Sequence, residues 1–270
     1  MNVLRDKRFL VSVVAAALLA GTAACGTSSA GAVHTTTLTV LAAASLNRVF
    51  PTLATEFSGT HPDVRVRFSF AGTDALVVQI EQGSPADLFA GASARYGDQL
   101  LEERLVEAPR AFATNRLVLI LPVSNPASIS TPQDLARPGI KLVIGASIDP
   151  IGSYTRKVLA NLDRVYGPSY SPAVLSNIVS NEDNVEGVLT KVRLGEADAG
   201  FVYVTDAKAA GDAVRSLQLP ERAQAIATYP IAVIKTSAHR DLARQFESFV
   251  LSPEAQRTLV AAGFGPPPTA

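Results

Sequence analysis

Five consecutive apolar residues, Leu117 to Leu121 (LVLIL), stand between an arginine and a proline. A strand with one wet face alternates polar and apolar residues, so an unbroken apolar run of this kind reads as a strand covered on both faces. Its sheet then needs helices on either side, and the rest of the chain supplies them. Leu38 to Ala42, Val64 to Phe70, Asp87 to Ala90, Lys141 to Gly145 and Ala199 to Val204 read as further strands. Between them, Val49, Phe50, Leu53 and Phe57 fall on one helical face, as do Leu76, Val77 and Ile80. Val185, Val188, Leu189 and Val192 keep the spacing i, i+3, i+4, i+7. Strands alternating with helices predict an α/β fold with mainly parallel sheets.

Two segments read as crossings between lobes: Arg116 to Ser124 (RLVLILPVS) and Ala227 to Lys235 (ATYPIAVIK). They predict lobe one over residues 38–116 plus 234–270 and lobe two over 117–233. Two helical patterns, Leu242 to Leu251 and Pro253 to Ala262, would then pack back on lobe one. A double crossing leaves a cleft that can close by a hinge. The final GFGPPPTA reads as a frayed tail.

Length and composition permit this architecture. The 270 residues are 47% hydrophobic, enough for one large domain or two lobes. The net charge of +0 argues against binding nucleic acid or anionic lipid by charge alone. Residues 1–24 read as a secretion signal: a basic start (Arg5, Lys7, Arg8), an apolar stretch from Phe9 to Ala20 too short to read as a membrane span, then small residues. Cys25 is the single cysteine, so no disulfide can form within the chain. Its place directly after Thr-Ala-Ala resembles the lipobox of bacterial lipoproteins, with Thr22 where that pattern usually has Leu. The resemblance implies a lipid on Cys25, an anchor in the cell membrane and an extracytoplasmic location. Residues 25–37, small and polar and including His34, read as a flexible tether.

The strand Leu38 to Ala42 runs into a small-residue turn ending in Ser45, ahead of a helix. A helix start leaves backbone N–H groups without helical partners, so a hydroxyl there either caps the helix or helps to hold an anion. Gly72-Thr73 repeats the device before a helix beginning near Asp74. Ser147 to Tyr154 (SIDPIGSY) and Asn181 to Val188 (NEDNVEGV) open two more helices. The strand Ala199 to Val204 carries Tyr203, a phenolic donor or a core aromatic.

This set of segments is similar to the molybdate-binding proteins of ABC importers. The resemblance rests on AAASL, QIEQGSPADLF, P-x-G-x-Y, E-D-N-V-x-G and G-x-V-Y, in that order, and spans Leu38 to Phe264. It implies the type II periplasmic binding-protein fold: two α/β lobes joined by two crossing strands, with an oxyanion in the cleft. It further implies a monomer without cofactor that takes molybdate or tungstate and delivers it to a membrane permease and ATPase. By position, the ligand would meet the hydroxyls and amides of Ser45 and Thr73, the amides of Ile151 and Val185, and the phenol of Tyr203. The family often has Ser where this chain has Thr73, and Ala where it has Ile151.

A shell of neutral donors suits a fully deprotonated tetrahedral anion, and it eases release because no ion pair must break. Monohydrogen phosphate carries a proton and wants an acceptor. Asp74 and Asp149 stand beside the candidate donors. Asp74 reads as a helix cap and Asp149 as a solvated loop carboxylate. Were Asp149 to face the cleft, it would favour a protonated anion, which keeps a sulfate or phosphate receptor on the same fold as the alternative. A hydrolase using Ser45 or Ser153 would need a histidine partner. His61 and His239 adjoin neither serine in sequence, and no G-x-S-x-G elbow is present. A purely structural surface protein would show no small-ligand stabilisation.

Overall fold

A computed structural model describes residues 35–268. The signal segment, Cys25 and most of the expected tether lie outside the described residues. Within them, the tether ends sooner than expected, because the first strand already starts at Thr36.

The first sheet has the order β2-β1-β3-β10-β4. It comprises β1 (Thr36–Ala43), β2 (Val64–Ala71), β3 (Leu88–Ala90), β4 (Arg110–Asn115) and β10 (Ala227–Val233). β1 runs parallel to β2 and β3, whereas β10 is antiparallel to β3 and β4. The second sheet has the order β7-β6-β8-β5-β9. Its strands are β5 (Leu117–Leu121), β6 (Leu142–Gly145), β7 (Ile178–Glu182), β8 (Ala199–Tyr203) and β9 (Arg215–Leu217). All five residues of β5 are buried, as the unbroken apolar run requires.

Helices cover both sheets: α1 (Phe50–Thr60), α2 (Thr73–Glu81), α3 (Ala94–Glu102), α4 (Pro150–Tyr166), α5 (Tyr170–Leu175), α6 (Val185–Arg193), α7 (Val204–Ala210), α8 (Arg240–Val250) and α9 (Pro253–Ala262). α1 buries Phe50, Leu53 and Phe57, each contributing about 1.5–3 kcal/mol. Phe57 meets Phe246 of α8 edge-on at 5.2 Å between centroids. The C-terminal helices α8 and α9 thus pack against α1.

Two expectations are corrected. The chain first crosses between sheets at Arg116, between β4 and β5. The return crossing precedes β10, so residues 227–233, assigned from sequence to lobe two, belong wholly to the first sheet. An apolar run reveals that a strand is buried but not which neighbours it pairs with. The tail is docked rather than frayed as far as Pro266, whose carbonyl accepts from Thr114 Oγ1. Gly265 and Thr114 exchange backbone hydrogen bonds of 2.8 and 3.0 Å, and Phe264 is buried.

Candidate functional site

The N-terminus of α2 and the turn after β1 face the N-termini of α4 and α6 and the end of β8. A cavity between them is lined by Ser45, Thr73, Asp149, Asn184, Val185 and Tyr203, among others. Its volume of about 10 Å³ is room for the centre of one water-sized sphere. Among the described residues, none of those lining the cavity is Lys, Arg or His.

Ser45 does not cap a helix. It lies in a short 3₁₀ turn, Ala44–Leu46, and α1 starts only at Phe50. Its Oγ instead pairs with the Tyr229 hydroxyl at 2.9 Å. Tyr229, from β10, is fully buried, and burial holds its phenol well above its usual pKa, so it stays protonated. Asn115 Nδ2 donates to the Tyr229 oxygen at 3.5 Å, which leaves the Tyr229 proton able to go to Ser45 and the Ser45 proton able to point at the cavity.

Thr73 shows the same polarity. It opens α2, is 1% exposed, and its Oγ1 accepts from the Ala92 N–H at 3.1 Å. Its own O–H is left to donate. The Tyr203 hydroxyl is buried on the cavity wall without any hydrogen-bond partner. Burial keeps it protonated too. Core packing and donation are therefore not alternatives for Tyr203: the ring is buried, and the hydroxyl borders the cavity.

At the third corner, Asn184 caps α6 by accepting from the amides of Glu186 and Gly187 at 3.0 and 3.4 Å. Val185 lines the cavity, and its amide lies outside that cap. Ile151 differs from expectation. Its N–H donates to Asp149 Oδ1 at 3.1 Å, so the amide assigned to a ligand is held by a side chain. Asp149 caps α4 and is only 4% exposed, which corrects its reading as a solvated loop carboxylate. Asp74 does not cap α2, whose N-cap is Gly72; its Oδ1 is buried without a partner.

The lobes touch closely around this point. A Cβ placed on Gly72 would lie 2.5 Å from the Asp183 carbonyl oxygen, 2.8 Å from Asp74 Oδ1 and 3.0 Å from Asp149 Oδ2. The Tyr96 hydroxyl of α3 donates to the Ile148 carbonyl at 2.5 Å, and Arg48 faces Glu186 at 3.9 Å.

Residues 38–265 match the family model described as bacterial extracellular solute-binding protein. This chain belongs to that family. The solute-binding protein is 37% identical over 262 residues to the molybdate-binding protein ModA of Mycobacterium tuberculosis H37Rv, covering 94% of this chain and 97% of the relative. The Azotobacter vinelandii periplasmic molybdate-binding protein superposes with a TM-score of 0.74 at 22% identity, over 86% of this chain and 100% of that one. The sulfate-binding protein SubI of M. tuberculosis does so with 0.75 at 21%, over 86% and 87%. At those identities the two structures bear on fold alone, and the fold is the two-lobe type II arrangement expected from sequence.

The family's role is solute binding. His61 stacks on Phe57 and bonds Gln245, while His239 precedes α8; no hydrogen bond joins either to Ser45 or Ser153. Among the described residues, no cluster of His, Cys, Asp or Glu could hold a metal ion, and no helix is long and apolar enough to cross a membrane. Sequence reasoning missed Tyr229, 184 residues from Ser45, because nothing local signals that contact. It flagged Asp149 but misread its setting, although Asp-Pro at a helix start is a capping signature.

Proposed function

We propose that this solute-binding protein captures molybdate, and equally tungstate, in the cleft and hands it to an ABC permease and its ATPase. One observation carries the reading: the Tyr203 hydroxyl, buried and unpartnered, borders the same cavity as two hydroxyls, Ser45 and Thr73, that accept from behind and can donate forward. The amide of Val185 adds a donor, and that of Ile151 adds another once it is shared with the ligand. The shell offers neutral hydrogen bonds to a charged ligand, which are stronger than bonds between neutral groups. The ModA relatives support molybdate as the anion.

The expected result is a raised melting temperature with molybdate or tungstate and none with sulfate or phosphate. At ligand one hundred times Kd the stabilisation is about 2.7 kcal/mol. An equal response to phosphate, or none to molybdate, overturns the assignment. One observation favours the second reading, a receptor for a protonated anion such as hydrogen phosphate: Asp149 lines the cavity. The same comparison of melting temperatures decides between them.

The protein works as a monomer without cofactor, and its two lobes are the two sheets with their helices. Cys25 is its lipid attachment site, residues 25–37 its tether, and the cell membrane's outer face its location. Labelled fatty acid should enter the full chain in its native host and not the Cys25→Ser variant; label in both would refute the anchor.

A further inference from the structure

Two carboxyl groups meet above Gly72, on the cavity's wall, without a cation between them. Asp149 comes from the start of α4 on the second lobe, and Asp74 from the first turn of α2 on the first. Both side chains crowd the same spot: a Cβ on Gly72 would stand 2.8 Å from Asp74 Oδ1 and 3.0 Å from Asp149 Oδ2. Among the described residues, neither is in a salt bridge with Lys, Arg or His.

The surrounding groups do not neutralise them. From α3, Tyr96 donates to the Ile148 carbonyl and Arg95 lies over the Tyr96 ring while reaching that same carbonyl. From β8 comes the protonated Tyr203, from α4 Tyr154, and from the loop before α6 the carbonyl of Asp183. Asp149 is already bonded to the Ile151 amide and is met by the Thr73 amide from the other lobe, both neutral donors, and Asp74 Oδ1 is a buried acceptor without a donor. A buried acceptor beside a second carboxyl wants a proton between the two.

We infer that Asp149 and Asp74 share one proton across the closed cleft, and that this proton enters the site together with the oxyanion. The pair is then a specificity element: it lets a pocket walled by a carboxyl group accept a fully deprotonated dianion, because the proton sits on the protein rather than on the ligand. A neutral Asp149 is also a weaker acceptor for the Ile151 N–H, which frees that amide for the anion. The inference rests on the oxyanion reading above.

Burial and the Asp74 charge raise the Asp149 carboxyl to about 8 in this closed form. A solvated aspartate in the open form titrates near its ordinary value of about 3.9. Between those two values, closing takes up a proton, so closing and binding weaken as pH rises through the window and level off above it.

The test is calorimetry of molybdate binding to the full chain at pH 7 in buffers of different ionisation enthalpy, with Kd measured from pH 5.5 to 7.5. The expected result is uptake of about one proton per anion and an affinity that falls up to about tenfold per pH unit. Asp149→Asn keeps the shape and an acceptor for Ile151 but cannot titrate, so its slope should vanish; Asp74→Asn should flatten the slope as well. Binding of molybdate by the unsubstituted protein with no proton uptake, or with proton release, overturns the shared proton and leaves the oxyanion reading standing. Failure to bind molybdate or tungstate at any pH overturns both. The proton count needs no variant, so a misfolded substitution leaves the test intact.

Discussion

Replacing Tyr203 by Phe together with Thr73 by Ala is expected to weaken molybdate binding by about two to four orders of magnitude. Each substitution removes one hydroxyl donor to a charged ligand, a bond of about 1.5–3 kcal/mol, and about 1.4 kcal/mol is a factor of ten. The two changes differ in their effect on the empty protein. The Tyr203 hydroxyl has no partner, so Phe deletes a desolvated polar group and breaks no hydrogen bond. Tyr203→Phe alone should leave the ligand-free melting temperature unchanged or raise it. Thr73→Ala leaves the Ala92 N–H without its acceptor, which costs about 1–3 kcal/mol of folding stability. Calorimetry on the single and double variants, beside ligand-free thermal melts, separates the effects. An unchanged Kd in the double variant would mean the donor shell is assigned wrongly.

A methyl group on Gly72 should prop the cleft open. Its backbone angles, φ −56 and ψ 141, suit alanine, so the change carries no conformational strain. The obstacle is across the cleft: the new Cβ would sit 2.5 Å from the Asp183 carbonyl oxygen, a backbone atom that cannot rotate away. Overpacking of this kind costs about 1–3 kcal/mol, and here it falls on the closed form alone. Gly72→Ala is therefore expected to lower molybdate affinity by about 5- to 150-fold while the ligand-free protein melts as before. Small-angle scattering should show that saturating ligand compacts the unsubstituted protein more than the variant. A variant that binds with full affinity would show that binding does not need this approach of the two lobes.

Much of this arrangement is legible in the residues. The spacing of Val185, Val188, Leu189 and Val192 marks α6 because a helix turns every 3.6 residues, and those four side chains are buried. LVLIL marks β5, and the run from Leu38 marks β1, for the corresponding reason in strands. Ser45, Thr73, Val185 and Tyr203, separated along the chain, line a single cavity, and Ile151 lies one bond behind its wall. The family likeness places them together; periodicity alone could not.

The misreadings share a cause. For Ser45 the residues left cap and anion site open, and distance decides: α1 begins five residues later and Tyr229 reaches in from β10. Asp149 looked solvated because loops are usually wet, yet the opposing lobe covers it. The strand Ala227–Val233 was placed on the wrong lobe because burial is a property of a segment, whereas pairing is a property of two.

Local patterning, then, specifies which segments are strands and helices, and so where unpaired amides and short hydroxyl side chains collect, since these depend on residues within a turn or two. Lobe closure supplies the rest. It pairs the Ser45 hydroxyl with that of Tyr229 and gives Thr73 the Ala92 N–H to accept from. It leaves Tyr203 without a partner, and it brings two aspartates from different lobes together above Gly72. Those outcomes hinge on contacts between remote parts of the chain and on the exclusion of water between them, and no short window of sequence contains either.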